Sequence, residues 1–114
     1  MEEFITNWTK EELNLYILIF CANADFIESK GETDFLKLKS NETLFSRIHE
    51  EFDKDNDYQS IQKIRSTLDK FGYTKDEKDL LLREMKELFF LDGTYNTLEK
   101  NLFIGMNHIF GDNN

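Results

Sequence analysis

At 114 residues the chain is long enough for one hydrophobic core and too short for two. Eleven Phe, four Tyr and one Trp supply enough apolar bulk to exclude global disorder, while the absence of Pro and only five Gly disfavour a sandwich or barrel of tight hairpins. A net charge of −9, from 23 acidic and 14 basic residues, excludes duplex or phosphate-rich partners, whose binding relies on Lys and Arg displacing counterions, so no nucleic-acid role is expected.

The opening Met1-Glu2-Glu3 lacks the basic segment of a secretory signal, and none is expected. Phe4, Ile5 and Trp8 come next; a staple against Leu13 or the core is the expectation for them, ahead of an exposed handle for a partner. Thr9 followed by Glu12 forms a capping box, and Leu13, Tyr16, Ile17, Phe20, Cys21 and Ala24 repeat behind it at helical spacing. Leu15, Leu18 and Ile19 fill the other face, so the first helix should lie in the middle of the fold and end near Asp25. Its lone cysteine, Cys21, has no intrachain partner and suits a buried thiol in a reducing compartment, hence a cytoplasmic location. The apolar run around it falls far short of the roughly 20 residues that span a bilayer, so no transmembrane segment is expected.

A polar junction, Asp25 to Gly31, leads to a second helix with Phe35, Leu36 and Leu38, and Ser40-Asn41 stops it and caps the third. Leu44, Phe45, Ile48 and Phe52 mark that third helix; Ile61, Ile64, Leu68 and Phe71 mark a fourth that stops at Gly72. Between them Asp53, Asp55 and Asp57 alternate like the start of an EF-hand loop. Tyr58 stands where that loop needs Gly and Ile64 where it needs a bidentate Glu, so a solvated loop with Asp57 as helix cap is expected instead. His49 with Asp53 lacks the second His of a zinc-protease helix, and His108 is expected to meet the dipole of the last helix or to pack by its ring.

Thr74 followed by Glu77 is a second capping box, opening a fifth helix with Leu81, Leu82, Met85, Leu88 and Phe89 that runs to about Leu91. Asn96 and Glu99 cap a last helix carrying Leu98, Leu102, Phe103, Met106, Ile109 and Phe110 before Gly111. No linker or composition shift divides the chain, which reads as one domain over 1–114 with an ordered core of about 9–111. The fold expected is all-α, a compact bundle of five to six helices.

Two junctions echo each other. Asp25 closes the first apolar helix seven positions before Glu32, and Asp92 closes the fifth seven positions before Glu99, each Glu falling in the first turn of the next helix. If the junctions meet, these four carboxylates, with Glu28 nearby, could give oxygens to Ca²⁺ or Mg²⁺; as first-turn and turn residues they also suit helix capping, which is the reading their positions favour.

The stretches Ala24-Asp25 to Glu32 and Asp92-Gly93 to Glu99 resemble the bacterial TerB-like family of tellurite-resistance-associated domains, whose pattern is an Ala-Asp-Gly turn, a polar run and a Glu opening the next helix. The later copy keeps the glycine at Gly93; the earlier has Phe26 in its place. The resemblance implies two pseudo-symmetric helix-turn-helix halves with the first and last helices central, metal binding through clustered acidic residues, a bacterial stress-response or defence setting, and no enzyme activity. Tellurite is an anion that carboxylates repel, so direct tellurite chemistry is not expected. The function expected is therefore a non-enzymatic acidic module that takes a divalent cation or a protein partner. The alternative is a small acidic inhibitor or immunity-type protein that covers a basic partner. An enzyme using the paired carboxylates as acid and base comes last, since it would also need a pocket and shifted pKa values.

Overall fold

The computed structural model describes residues 7–23, 30–89 and 104–105, which contain five α-helices and no strand: α1 Lys10–Ala22, α2 Lys30–Lys39, α3 Glu42–Lys54, α4 Asp57–Phe71 and α5 Lys75–Phe89. The all-α expectation holds. Of the expected last helix only Ile104 and Gly105 fall within the described residues, and both are helical.

Each boundary has a local cause. Thr9 caps α1 through the expected box: its Oγ1 accepts from the Glu12 N–H at 3.2 Å, and Glu12 Oε1 accepts from the Thr9 N–H at 2.8 Å. The helix runs to Ala22, and Asn23 caps it: its N–H reaches the Ile19 carbonyl at 3.2 Å and the Phe20 carbonyl at 3.3 Å, and its side-chain amide donates to the Ile19 carbonyl at 2.8 Å. Asn41 caps α3 by accepting from the Leu44 N–H at 2.8 Å, and Thr74 with Glu77 closes the box that starts α5. Gly72 ends α4 in the left-handed region, at φ 58° and ψ 56°, with its N–H donated to the Leu68 carbonyl at 2.9 Å.

The expectation for Asp53–Asp57 needs correction. α3 continues through Asp53 to Lys54, and the cap of α4 is Asn56, not Asp57: Asn56 Oδ1 accepts from the Gln59 N–H at 2.8 Å while Gln59 Oε1 accepts from the Asn56 N–H at 2.9 Å. Asn followed three positions later by Gln completes a reciprocal box, which Asp57 followed by Ser60 cannot.

α1 is the axis of the fold. Leu13, Leu15, Tyr16, Ile17, Leu18, Ile19, Cys21 and Ala22 are all buried, and the helix packs against each of the other four. A helix apolar on every face has nowhere stable but the interior. Each fully buried Leu or Ile there contributes about 1.5–3 kcal/mol of transfer free energy. Around it α3 turns in Phe45 and Ile48, α4 Ile64 and Leu68, and α5 Leu81, Met85 and Leu88. Helix α2 buries Leu36, but Leu38, expected on its apolar face, is 86% exposed; two positions from Leu36, it points away from the stripe.

Candidate functional site

Three of the four carboxylates proposed from sequence, Asp25, Asp92 and Glu99, lie outside the described residues; Glu32 is the third residue of α2, and its side chain also lies outside the described set. Among the described residues no group of three or more His, Cys, Asp or Glu is placed to hold a metal ion.

The helices that lead into those junctions have a definite relation. Lys10, the first residue of α1, meets Glu77, the third of α5, at 2.8 Å, and Leu18 and Glu84, further along the same helices, line one cavity. Contacts in the same order along both mean that α1 and α5 are parallel neighbours. Tyr73, just ahead of α5, pins their shared starting level by donating from Oη to Asn14 Oδ1 at 2.7 Å, with the Lys10 carbonyl 3.2 Å from the same hydroxyl. From Lys10 to Ala22 and from Glu77 to Phe89 is twelve positions in each helix, about 18 Å of rise, so the chain leaves both helices at the same end of the bundle. The 67 positions separating Lys10 from Glu77 also separate Asp25 from Asp92 and Glu32 from Glu99.

Several of the described carboxylates are paired with cations: Glu77 with Lys10, Glu12 with Arg47, Glu84 and Glu87 with Lys39, Glu50 with Lys54, and Glu51 and Asp55 with Lys63.

The densest polar cluster lies where the α3–α4 corner meets α1. Tyr16 Oη donates to Asp55 Oδ2 at 2.6 Å; its only proton being spent there, the 2.9 Å contact to Ser60 Oγ has the serine as donor. Lys63 Nζ bonds Asp55 Oδ2 at 2.8 Å and Oδ1 at 3.0 Å and reaches Glu51 Oε1 at 3.3 Å, while Trp8 Nε1 donates to Glu51 Oε2 at 2.8 Å. The Trp8 and Tyr16 rings stack at 4.5 Å with Trp8 only 6% exposed, so Trp8 belongs to the core, as the staple expectation had it; Phe4 and Ile5 lie outside the described residues. Burial, and then the Asp55 carboxylate, push the Tyr16 hydroxyl far above its ordinary range. For Lys63 burial works downward, but the hydrogen bond and charge of Asp55 and the charge of Glu51 outweigh it and raise the ammonium pKa. Both groups hold their protons more tightly than an ordinary tyrosine or lysine, and their hydrogen bonds are used within the cluster. It is a clamp that ties Asp55, the cap residue of α3, to the central helix.

Periodicity marked Tyr16 only as a core position and gave no signal for Ser60 or Lys63. Polar groups brought together from α1, the α3–α4 corner and α4 leave no pattern in any one helix. His49 packs its ring at 5.2 Å from Phe45 and 6.2 Å from Phe52, with Nδ1 3.2 Å from Asp53. His108 lies outside the described residues.

Two further concavities are open to solvent. One lies over Arg47, Glu50, Lys54 and Lys63, whose charges are paired within it or with Glu12. The other, of about 260 Å³, lies between α1, the end of α2 and α5 over Leu15 and Leu18, with Glu11, Asn14, Lys39 and Glu84 around it. No protein-family model, curated protein or solved structure matches the chain.

Proposed function

We propose that the chain is a non-enzymatic, TerB-like helical module that works in bacterial stress response or defence by presenting an acidic end to a divalent cation, Ca²⁺ or Mg²⁺, or to a basic protein segment. The observation that carries this reading is the pairing of α1 with α5: Lys10 at the start of one meets Glu77 at the start of the other at 2.8 Å across 67 positions, the same spacing that separates Asp25 from Asp92 and Glu32 from Glu99 in the sequence. Hard cations favour clustered carboxylate oxygens, and basic segments are drawn to the same field. The buried Cys21, in no disulfide, suits the reducing cytoplasm.

A second reading, a small acidic inhibitor or immunity-type protein, draws on the same net charge of −9 and differs in what the acidic surface covers, a single basic partner whose activity it blocks.

Calorimetric titration of metal-stripped protein with Ca²⁺ and Mg²⁺, alongside the Asp92→Asn, Glu99→Gln double variant, tests the cation. Saturable heat in the wild type that disappears in the variant is the expected result. No heat in either, with an unchanged melting temperature, removes the cation site and leaves those carboxylates as helix caps.

A further inference from the structure

We propose that the cavity between α1, the end of α2 and α5 receives an arginine or lysine side chain from a basic polypeptide partner. This rests on the reading of the chain as an acidic interaction module and names what the body of the module grips, away from the junctions. Glu11, Leu15 and Leu18 stand at i, i+4 and i+7 on α1, so one face of the central helix offers a carboxylate above two leucines. Across from it Glu84 comes from α5 and Lys39 from the end of α2.

The chemistry of the rim sets the occupant. Glu11 is exposed and, among the described residues, takes part in no ion pair, in contrast to most carboxylates around it. Glu84 gives Oε2 to Lys39 Nζ at 3.2 Å, and Glu87 stands 3.9 Å from the same ammonium, so Lys39 is already shared between two carboxylates. Its Nζ lies over the Phe35 ring, 5.2 Å from the centroid, which holds the ammonium to that side. In the lining of the cavity Glu11 and Glu84 stand against Lys39, a balance of one negative charge, and an incoming cation completes it.

Size narrows the choice. About 260 Å³ falls short of the ~300 Å³ at which drug-sized sites begin, yet it admits one long side chain. Arginine and lysine match the site in reach and in charge: a long stem that enters the cavity, whose leucines are already almost fully buried, and a cationic head for Glu11 and the remaining oxygen of Glu84. An acidic side chain would meet the rim carboxylates, and a purely apolar one would leave the Glu11 charge unanswered.

The test uses butylguanidinium as an arginine side-chain probe, followed by amide NMR shifts of the full-length ¹⁵N-labelled protein. Saturable shifts centred on Asn14, Leu18 and Glu84 are expected, with binding roughly fivefold weaker in Glu11→Gln, as loss of one exposed ion pair implies, and unchanged in the Asp92→Asn, Glu99→Gln variant. Butanol, which keeps the stem and lacks the charge, should give no saturable shift. Binding that Glu11→Gln leaves intact overturns the proposal. So do shifts confined to the segments 24–29 and 90–103 and lost in the junction variant, but that result leaves the acidic module standing. Because Glu11 is exposed and bonds to nothing described, its substitution leaves the fold in place to report.

Discussion

Tyr16 and Asp55, 39 positions apart in sequence, meet at 2.6 Å between phenol and carboxylate inside the bundle. The bond joins the middle of the central helix to the residue at which α3 ends, and Lys63 and Ser60 close it from α4. Every buried side-chain nitrogen and oxygen among the described residues has a partner, so this corner carries no desolvation debt while it is complete.

Tyr16→Phe keeps the ring and its stacking on Trp8 and deletes only the hydroxyl. Ser60 then loses its acceptor and Asp55 one of its donors in a region where Tyr16 is fully buried. The expected cost is about 1–2 kcal/mol, the usual penalty for leaving a buried polar group short of a partner. Urea unfolding followed by Trp8 fluorescence measures it, since Trp8 is the chain's single tryptophan and sits against the same ring. A midpoint unchanged from the wild type would mean that the clamp contributes nothing to stability.

How much of this was legible beforehand follows from what each feature depends on. The capping boxes at Thr9 and Thr74, the stop at Gly72 and the central place of α1 all rest on residues within a few positions of one another, so local spacing exposes them. The cap at Asn56 is equally local, an Asn with Gln three positions on, but the alternating Asp53, Asp55 and Asp57 around it carry the more conspicuous pattern. The clamp and the parallel run of α1 beside α5 were not legible. They depend on Asp55, Ser60 and Glu77 meeting α1 from 39 to 67 positions away, and nothing in a helical period records such a meeting.

Acid should weaken the protein partly through Glu12. Burial works to raise its carboxyl pKa, but the Thr9 backbone N–H and the Arg47 guanidinium outweigh it and hold the group below its ordinary value of 4.5. A carboxyl with a lower pKa in the folded than in the unfolded chain binds fewer protons when folded, so its contribution is complete above pH 4.5 and drains away as pH falls through the lower folded value. Glu77, lowered by Lys10 and by the Thr74 N–H, acts with the same sign. Chemical denaturation at a series of pH values should show stability falling below about pH 4.5, with a shallower fall in Glu12→Gln, which has no proton to take up there. An identical acid slope in wild type and variant would remove Glu12 from the account.

Gly72→Ala separates backbone strain from crowding at the α4–α5 turn. A Cβ built on Gly72 has nothing within 4 Å, so alanine meets no steric obstacle, but φ of +58° remains a conformation that L-residues resist. The loss should therefore be about 1–2 kcal/mol from the left-handed backbone alone. Gly72→Asn should lose less, because the asparagine side chain tolerates that region by bonding locally. The two variants also bear on the wider architecture, since the turn delivers Tyr73 to Asn14 and Lys10 and so sets the level at which α5 starts beside α1. If alanine forces the turn out of the left-handed region, amide shifts should spread from Gly72 to Lys10 and Asn14. If it keeps the geometry at a cost in stability, shifts should stay within the turn. Alanine and asparagine variants equal in stability to the wild type would show that the turn is not held left-handed in solution.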